Sequence, residues 1–154
     1  MNSVKSIFLF ILFNLMMAPI LYAQNKTTDD KHRLEIYTLI AQYAQAREKK
    51  DTVLLKSILT SDVDQLVSSG EWRDGIQGSV KGMLRSSESN PGSRKLIVEK
   101  IRFTSKESAI ADARYEIQNA DGTTRKMWST FIVVYEKPKW KITAIRNMLP
   151  TAQQ

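Results

Sequence analysis

The 154-residue chain has no cysteine and a single histidine, His32. The first absence excludes disulfides, cysteine metal sites and a lipid-anchored cysteine. The second excludes a paired-histidine metal site. A histidine-based nucleophile triad would have to run through His32, which lies in a polar segment or the first turn of a helix, away from any predicted pocket. No internal repeat and no low-complexity segment is present. Of the six glycines, Gly75, Gly78 and Gly82 lack the spacing and the lysine–hydroxyl ending of a phosphate loop. No metal and no cofactor is expected.

Long apolar runs are scarce as well. The one example is IFLFILFNLMMA, preceded by MNSVK and followed by PILYA and the polar QNKTTDDKHR. That order of charged, apolar and small residues predicts an export signal over 1–23, cleaved after Ala23, with a loose leader over 24–31. The competing possibility is a retained anchor. The run is about 17 residues long, the short limit for a span, and Asn14 and Pro19 weaken it. The mature protein is therefore expected to be periplasmic or secreted, without stable membrane insertion.

Acidic charge is in deficit: 23 lysines and arginines face 16 aspartates and glutamates, a formal charge of +7. The basic residues are scattered as pairs (Lys49-Lys50, Arg94-Lys95, Arg125-Lys126) with acids among them. A nucleic-acid binder would show a basic stripe with aromatic rings between the charges. The pattern predicts a solvated basic surface and no nucleic-acid partner; weak attraction to an anionic envelope surface is the alternative. Apolar residues at 42% and charged residues at 25% describe one globular domain, over 32–150.

Within that domain, helical spacing of Ile36, Leu39, Ile40, Tyr43 and Ala44 predicts a helix over 32–49. Asp51 can cap a second, shorter helix with Leu54, Leu55, Ile58 and Leu59 on its buried side, stopped by Thr60-Ser61-Asp62. A short strand follows over 63–69. The stretch SSGEWRDGIQGS forms a glycine-bracketed turn, and a third helix runs over 76–86 with Ile76, Val80, Met83 and Leu84 inward. Residues 86–93, with Asn90-Pro91-Gly92, are a loop. The period then changes to two. Residues 95–104, 108–119, 123–137 and 140–149 predict four consecutive strands, with Asp121-Gly122 marking a hairpin. Three helices followed by an antiparallel meander give an α+β domain whose curved sheet wraps over the helices.

Three segments carry a resemblance: AREKKD at the end of the first helix, LLKSILTSDVDQLVSSGEWRDG, and KWKITAIRNMLP near the C-terminus. In order and spacing the chain resembles the nuclear transport factor 2-like superfamily, and within it the SnoaL-like proteins of unknown function. The resemblance implies a cone: a strongly bent sheet, three helices closing one side, and an apolar pocket at the wide end. The superfamily includes isomerases, dehydratases, polyketide cyclases and plain binding or assembly modules, often dimeric through the sheet. Fold does not decide among these. The resemblance also implies that Trp72 packs beneath the corner bounded by Gly70 and Gly75, a burial of about 2–3 kcal/mol. Direct contact of Trp72 with a ligand is the alternative.

Catalytic members of the superfamily place a carboxylate or histidine in the cone as general base. Many carry a histidine on or just after the third helix; here that region is Met83-Leu84-Arg85-Ser86-Ser87, so no catalytic residue is assigned. Asp62 and Asp64 share a side of the short strand. Asp112, Arg114 and Glu116 share one face of AIADARYEI, a solvent or dimer surface unless that face lines the cone, where Arg114 would keep Asp112 ionised. Tyr43, Trp72, Met83, Tyr115, Trp128, Arg146 and Asn147 are the candidate ligand-binding residues. The leading expectation is a non-catalytic module for a small apolar or amphipathic ligand, homodimeric through the sheet. A lyase or isomerase using a cone aspartate and a dimeric assembly module with a filled pocket are the alternatives.

Overall fold

The computed structural model describes residues 28–89, 92–119 and 121–150. The expected export signal and residues 24–27 of the leader lie outside the described residues. The chain divides into two compact units, Met1–Leu34 and Glu35–Gln154. Residues 28–49 are helical: 28–34 are the described part of the first unit, and 35–49, in the second, form α1. Residues 28–31 are thus helical where the sequence predicts a loose leader. No glycine or proline interrupts the chain between 28 and 49, so nothing local opposes the helix there.

Ile36, Leu39, Ile40, Tyr43 and Ala46 form the buried stripe of α1. The helix closes with Lys50 at φ 53°, the Asp51 amide donating to the Ala46 carbonyl and the Lys50 amide to that of Arg47. This is the left-handed C-terminal cap usually built on glycine. Asp51 then starts α2 (Thr52–Ile58), its side chain accepting from the Val53 and Leu54 amides.

Strand β1 (Leu59–Leu66) follows without a turn. Thr60-Ser61-Asp62, expected to stop the helix, are inside this strand, and the strand ends at Leu66, not at residue 69. Their extended conformation is fixed by partners distant in sequence: β1 pairs in parallel with β6, and Thr60 meets Thr143 at 3.3 Å. The chain turns back over 67–71, with Gly70 at φ +87°, into β2 (Trp72–Asp74), antiparallel to β1. Gly75, at φ +65°, opens α3 (Gly75–Ser89). This helix runs three residues beyond its expected end and so takes up the start of the predicted 86–93 loop.

The meander is β3 (Gly92–Ser105), β4 (Ser108–Asn119), β5 (Thr124–Glu136) and β6 (Lys139–Met148). The sheet order is β2-β1-β6-β5-β4-β3, antiparallel except between β1 and β6. Irregularities of register interrupt β3 and β6, and extra residues of this kind bend strands and curl a sheet. In β6, Ile132 pairs with Ala144 but Val133 with Ile142, leaving Thr143 as the extra residue. Ile142 and Ile145, three apart, consequently both reach the core.

The helices cover one face of the sheet. Ala109, Ala111 and Ala113 of β4, Phe131 and Val133 of β5 and Ile142 and Ile145 of β6 join the α1 stripe, Leu55, Ile58 and Met83 in one cluster. Tyr43 meets Phe131 edge-on at 5.3 Å between ring centres, a favoured aromatic geometry. Asp112 and Arg114 point to the opposite, outer face, as alternation requires.

Candidate functional site

Beyond the apolar cluster, the inner face of the sheet leads into a cavity of about 250 Å³. Arg47 closes it from α1, Gln65 from β1 and Arg73 from β2. Arg85, Ser86 and Ser89 come from α3; Tyr115 and Ile117 from β4; Arg125 and Met127 from β5; Asn147 from β6. Strand register explains the selection. Tyr115 pairs with Met127 and Ile117 with Arg125, so these four share a face.

Arg47 is 6% exposed. It donates from Nη2 to the Ser86 hydroxyl at 3.0 Å and from Nη1 to the Tyr43 hydroxyl at 3.4 Å, over whose ring it also lies. Among the described residues its Nε has no hydrogen-bond partner of good geometry, nor has the Tyr115 hydroxyl. Burial opposes the charge on Arg47, but the Tyr43 and Tyr115 hydroxyls beside it outweigh burial and raise its pKa. It remains a cation at any working pH.

Arg73 reaches the cavity because Gln65, which faces inward on β1, pairs with it across β1–β2. Its side chain passes over Gly82 of α3, where a Cβ would lie within 2.6 Å of the Arg73 Cζ. Arg73 Nε donates to the Glu71 carboxylate at 3.3 Å, and Arg85 pairs with the same oxygen. Burial works to raise the Glu71 pKa, but the hydrogen bonds from Arg85 and Arg73 overcome it and hold the carboxyl below its ordinary value.

Of the seven residues singled out in the sequence, the structure brings Tyr115 and Asn147 into this cavity. Tyr43 and Met83 are core residues, 4% and 0% exposed; Tyr43 touches the site through Arg47. Arg146 is the immediate neighbour of Asn147, and period two sends it to the outer face, where it pairs with Asp64 and stacks over Trp72 at 4.9 Å. Trp128, next to inward-facing Met127, likewise points outward, beside Asp112, Thr130 and Met148. Trp72 is 53% exposed. Its pairing with outward-facing Leu66 puts it outside, and Arg73 takes the inner place expected for it. The burial of Trp72 beneath the glycine corner is therefore corrected.

The aspartates considered as bases are elsewhere. Asp112 accepts from the Thr130 hydroxyl at 2.7 Å on the outer face, Asp64 pairs with Arg146, and Asp62 is exposed. Sequence reasoning missed Arg47, Arg73, Arg85 and Arg125. The available signals were the alternation Tyr115/Ile117 against Arg125/Met127, and the paired glycines 78 and 82 opposite a short strand.

No protein-family model matches the chain, and no curated protein matches it. Solved structures do. A domain of unknown function with a cystatin-like fold from Nostoc punctiforme superposes with a TM-score of 0.69 at 14% identity, over 80% of this chain and 79% of that one. A protein described as nuclear transport factor 2-like with a cystatin-like fold, from Novosphingobium aromaticivorans, gives 0.69 at 16% identity over 88% and 92%. A ketosteroid isomerase-like protein from Erwinia carotovora atroseptica gives 0.67 at 15% identity over 77% and 95%. The fold predicted from the resemblance is the fold found: the chain is an α+β protein of the nuclear transport factor 2-like, cystatin-like fold.

Proposed function

We propose that this chain is an exported, non-catalytic module that binds a small molecule in the cavity between α3 and the inner face of β4–β6. The observation that carries this is the lining of that cavity: Arg47, Arg73, Arg85 and Arg125 reach it from four different elements, beside the Tyr115 ring. Arginine side chains offer donors only, and donors gathered round a cavity form a site for a guest that supplies acceptors. The cavity is below the ~300–1,000 Å³ of drug-sized sites, so the ligand is small. Of the apolar or amphipathic guests expected, its polar lining with Ile117 and Met127 beside it favours an amphipathic one.

The isomerase or lyase reading is weaker on chemistry. A general base must lie within reach of the proton it takes. Among the described residues, the ionisable groups lining the cavity are arginines and one tyrosine, none of them a base near neutral pH. An assembly module with a filled pocket is disfavoured by the cavity itself.

The module acts as a homodimer through the outer face of the sheet. Trp128 and Met148, neighbours across β5–β6, are exposed there together, as apolar groups awaiting a partner surface would be. Native mass spectrometry of the full chain purified from its own envelope tests both points. A dimer mass with a retained small molecule, on a chain beginning at Gln24, is expected. A ligand-free monomer would overturn the binding and the dimer readings alike.

A further inference from the structure

The charge of the cavity goes further than its shape and names a ligand class, resting on the binding reading above. Four guanidiniums line the cavity, from Arg47, Arg73, Arg85 and Arg125, and among the described residues no carboxylate does. Arginine offers donors only. A buried cation is ordinarily paired, because removing its counter-charge leaves a large desolvation penalty. Arg47 is 6% exposed and has hydroxyls for partners, with no ion pair among the described residues. A ligand completing this site must bring acceptors and negative charge.

The rim shows which anion suits it. Arg73 and Arg85 already share a carboxylate, that of Glu71, from the turn before β2. Ile117 and Met127 add apolar surface within the same lining, which an inorganic anion would leave unused. We propose that the cavity binds a small organic carboxylate, its head group received by Arg47, Arg73 and Arg125, its apolar part against Ile117 and Met127. Glu71 is then a resident competitor for Arg73, and a guest acid draws Arg73 away from it.

The test is calorimetry and saturation-transfer NMR on the full chain. The probes are acetate, butyrate, hexanoate and benzoate, their primary amides, and inorganic phosphate. The longer acids are expected to bind at least about tenfold more tightly than their amides, the worth of one charge-assisted contact, and more weakly as salt rises. Arg125→Gln, at an exposed position that leaves folding intact, should weaken the acids several-fold, while Lys139→Gln, at the exposed start of β6, should not. Amides binding as tightly as acids, phosphate binding more tightly than any acid, or equal losses in the two variants would each overturn the carboxylate assignment and leave a binding module standing. If no probe of any series binds, the binding reading falls with it.

Discussion

Arg73 lies directly across Gly82: a Cβ added to the glycine would sit within 2.6 Å of the Arg73 Cζ, and closer still to its Cδ and Nε. The missing side chain on α3 is thus the channel through which a β2 arginine reaches the cavity. The Gly82→Ala change meets the far end of a flexible side chain, not backbone, so Arg73 moves and the helix stays. Alanine also regains about 1 kcal/mol of helix propensity over glycine. Urea unfolding should therefore place the variant within about 1 kcal/mol of the parent, while its affinity for small carboxylates drops by about tenfold or more. A loss of stability without loss of affinity would show that Gly82 serves packing alone.

Trp72 gives a second prediction. Half-exposed and stacked on Arg146 at 4.9 Å, it makes a surface cation–π contact of about 0.5–1 kcal/mol. Trp72→Ala should cost about that much in urea unfolding, well short of the ~2–3 kcal/mol that burial of the ring would carry. Its fluorescence should be quenched readily by iodide, which a tryptophan buried beneath the Gly70–Gly75 corner would resist.

The contrast between Trp72 and Arg73 marks where the sequence is legible. Strands β4, β5 and β6 are readable to within a residue or so, because one face of each is buried and hydrophobic alternation reports burial directly. The Asp51 cap is readable because it is local chemistry. Strand β2 has three residues, too few for a pattern, and its inner and outer sides are set by pairing with β1. Thr60-Ser61-Asp62 carry a turn composition that parallel pairing with β6 overrides. In the site, Tyr115 is readable from the alternation of β4. Arg146 and Asn147 cannot both face one side of a regular strand, and the same logic separates Met127 from Trp128. Arg47 offers no such clue: on an amphipathic helix it passes for a solvated cation until tertiary packing encloses it.

Glu71 supplies the pH dependence. Hydrogen bonds from Arg85 and Arg73 hold its folded pKa below the ordinary 4.5. A depressed folded pKa means the ion pairs contribute their full share above the unfolded value and lose it as pH falls through the lower, folded one. Unfolding free energy should decline as pH drops below 4.5, and Glu71→Gln should flatten part of that decline. At neutral pH the same variant frees Arg73, so its affinity for small carboxylates should rise. Weaker binding by Glu71→Gln would mean that the carboxylate orders the site and does not compete for it.

Arg47 gives the most discriminating case, because stability and function should move in opposite directions. The buried guanidinium is satisfied in part, by the Ser86 and Tyr43 hydroxyls, and has no carboxylate among the described residues. Its burial is offset by hydroxyls and not by a counter-charge, and replacement of buried charged groups by apolar chains of similar volume is often neutral or stabilising by about 1–4 kcal/mol. Methionine matches the unbranched stem and can fill the space between Tyr43 and Tyr115. Arg47→Met should therefore unfold at equal or higher urea concentration than the parent, yet lose carboxylate binding by at least about tenfold. A guanidinium kept for structural reasons predicts the reverse, a loss of stability with no change in ligand affinity. Arg47→Lys separates charge from geometry: it retains the cation, forfeits the two-pronged donor pattern, and should recover part of the binding with none of the added stability.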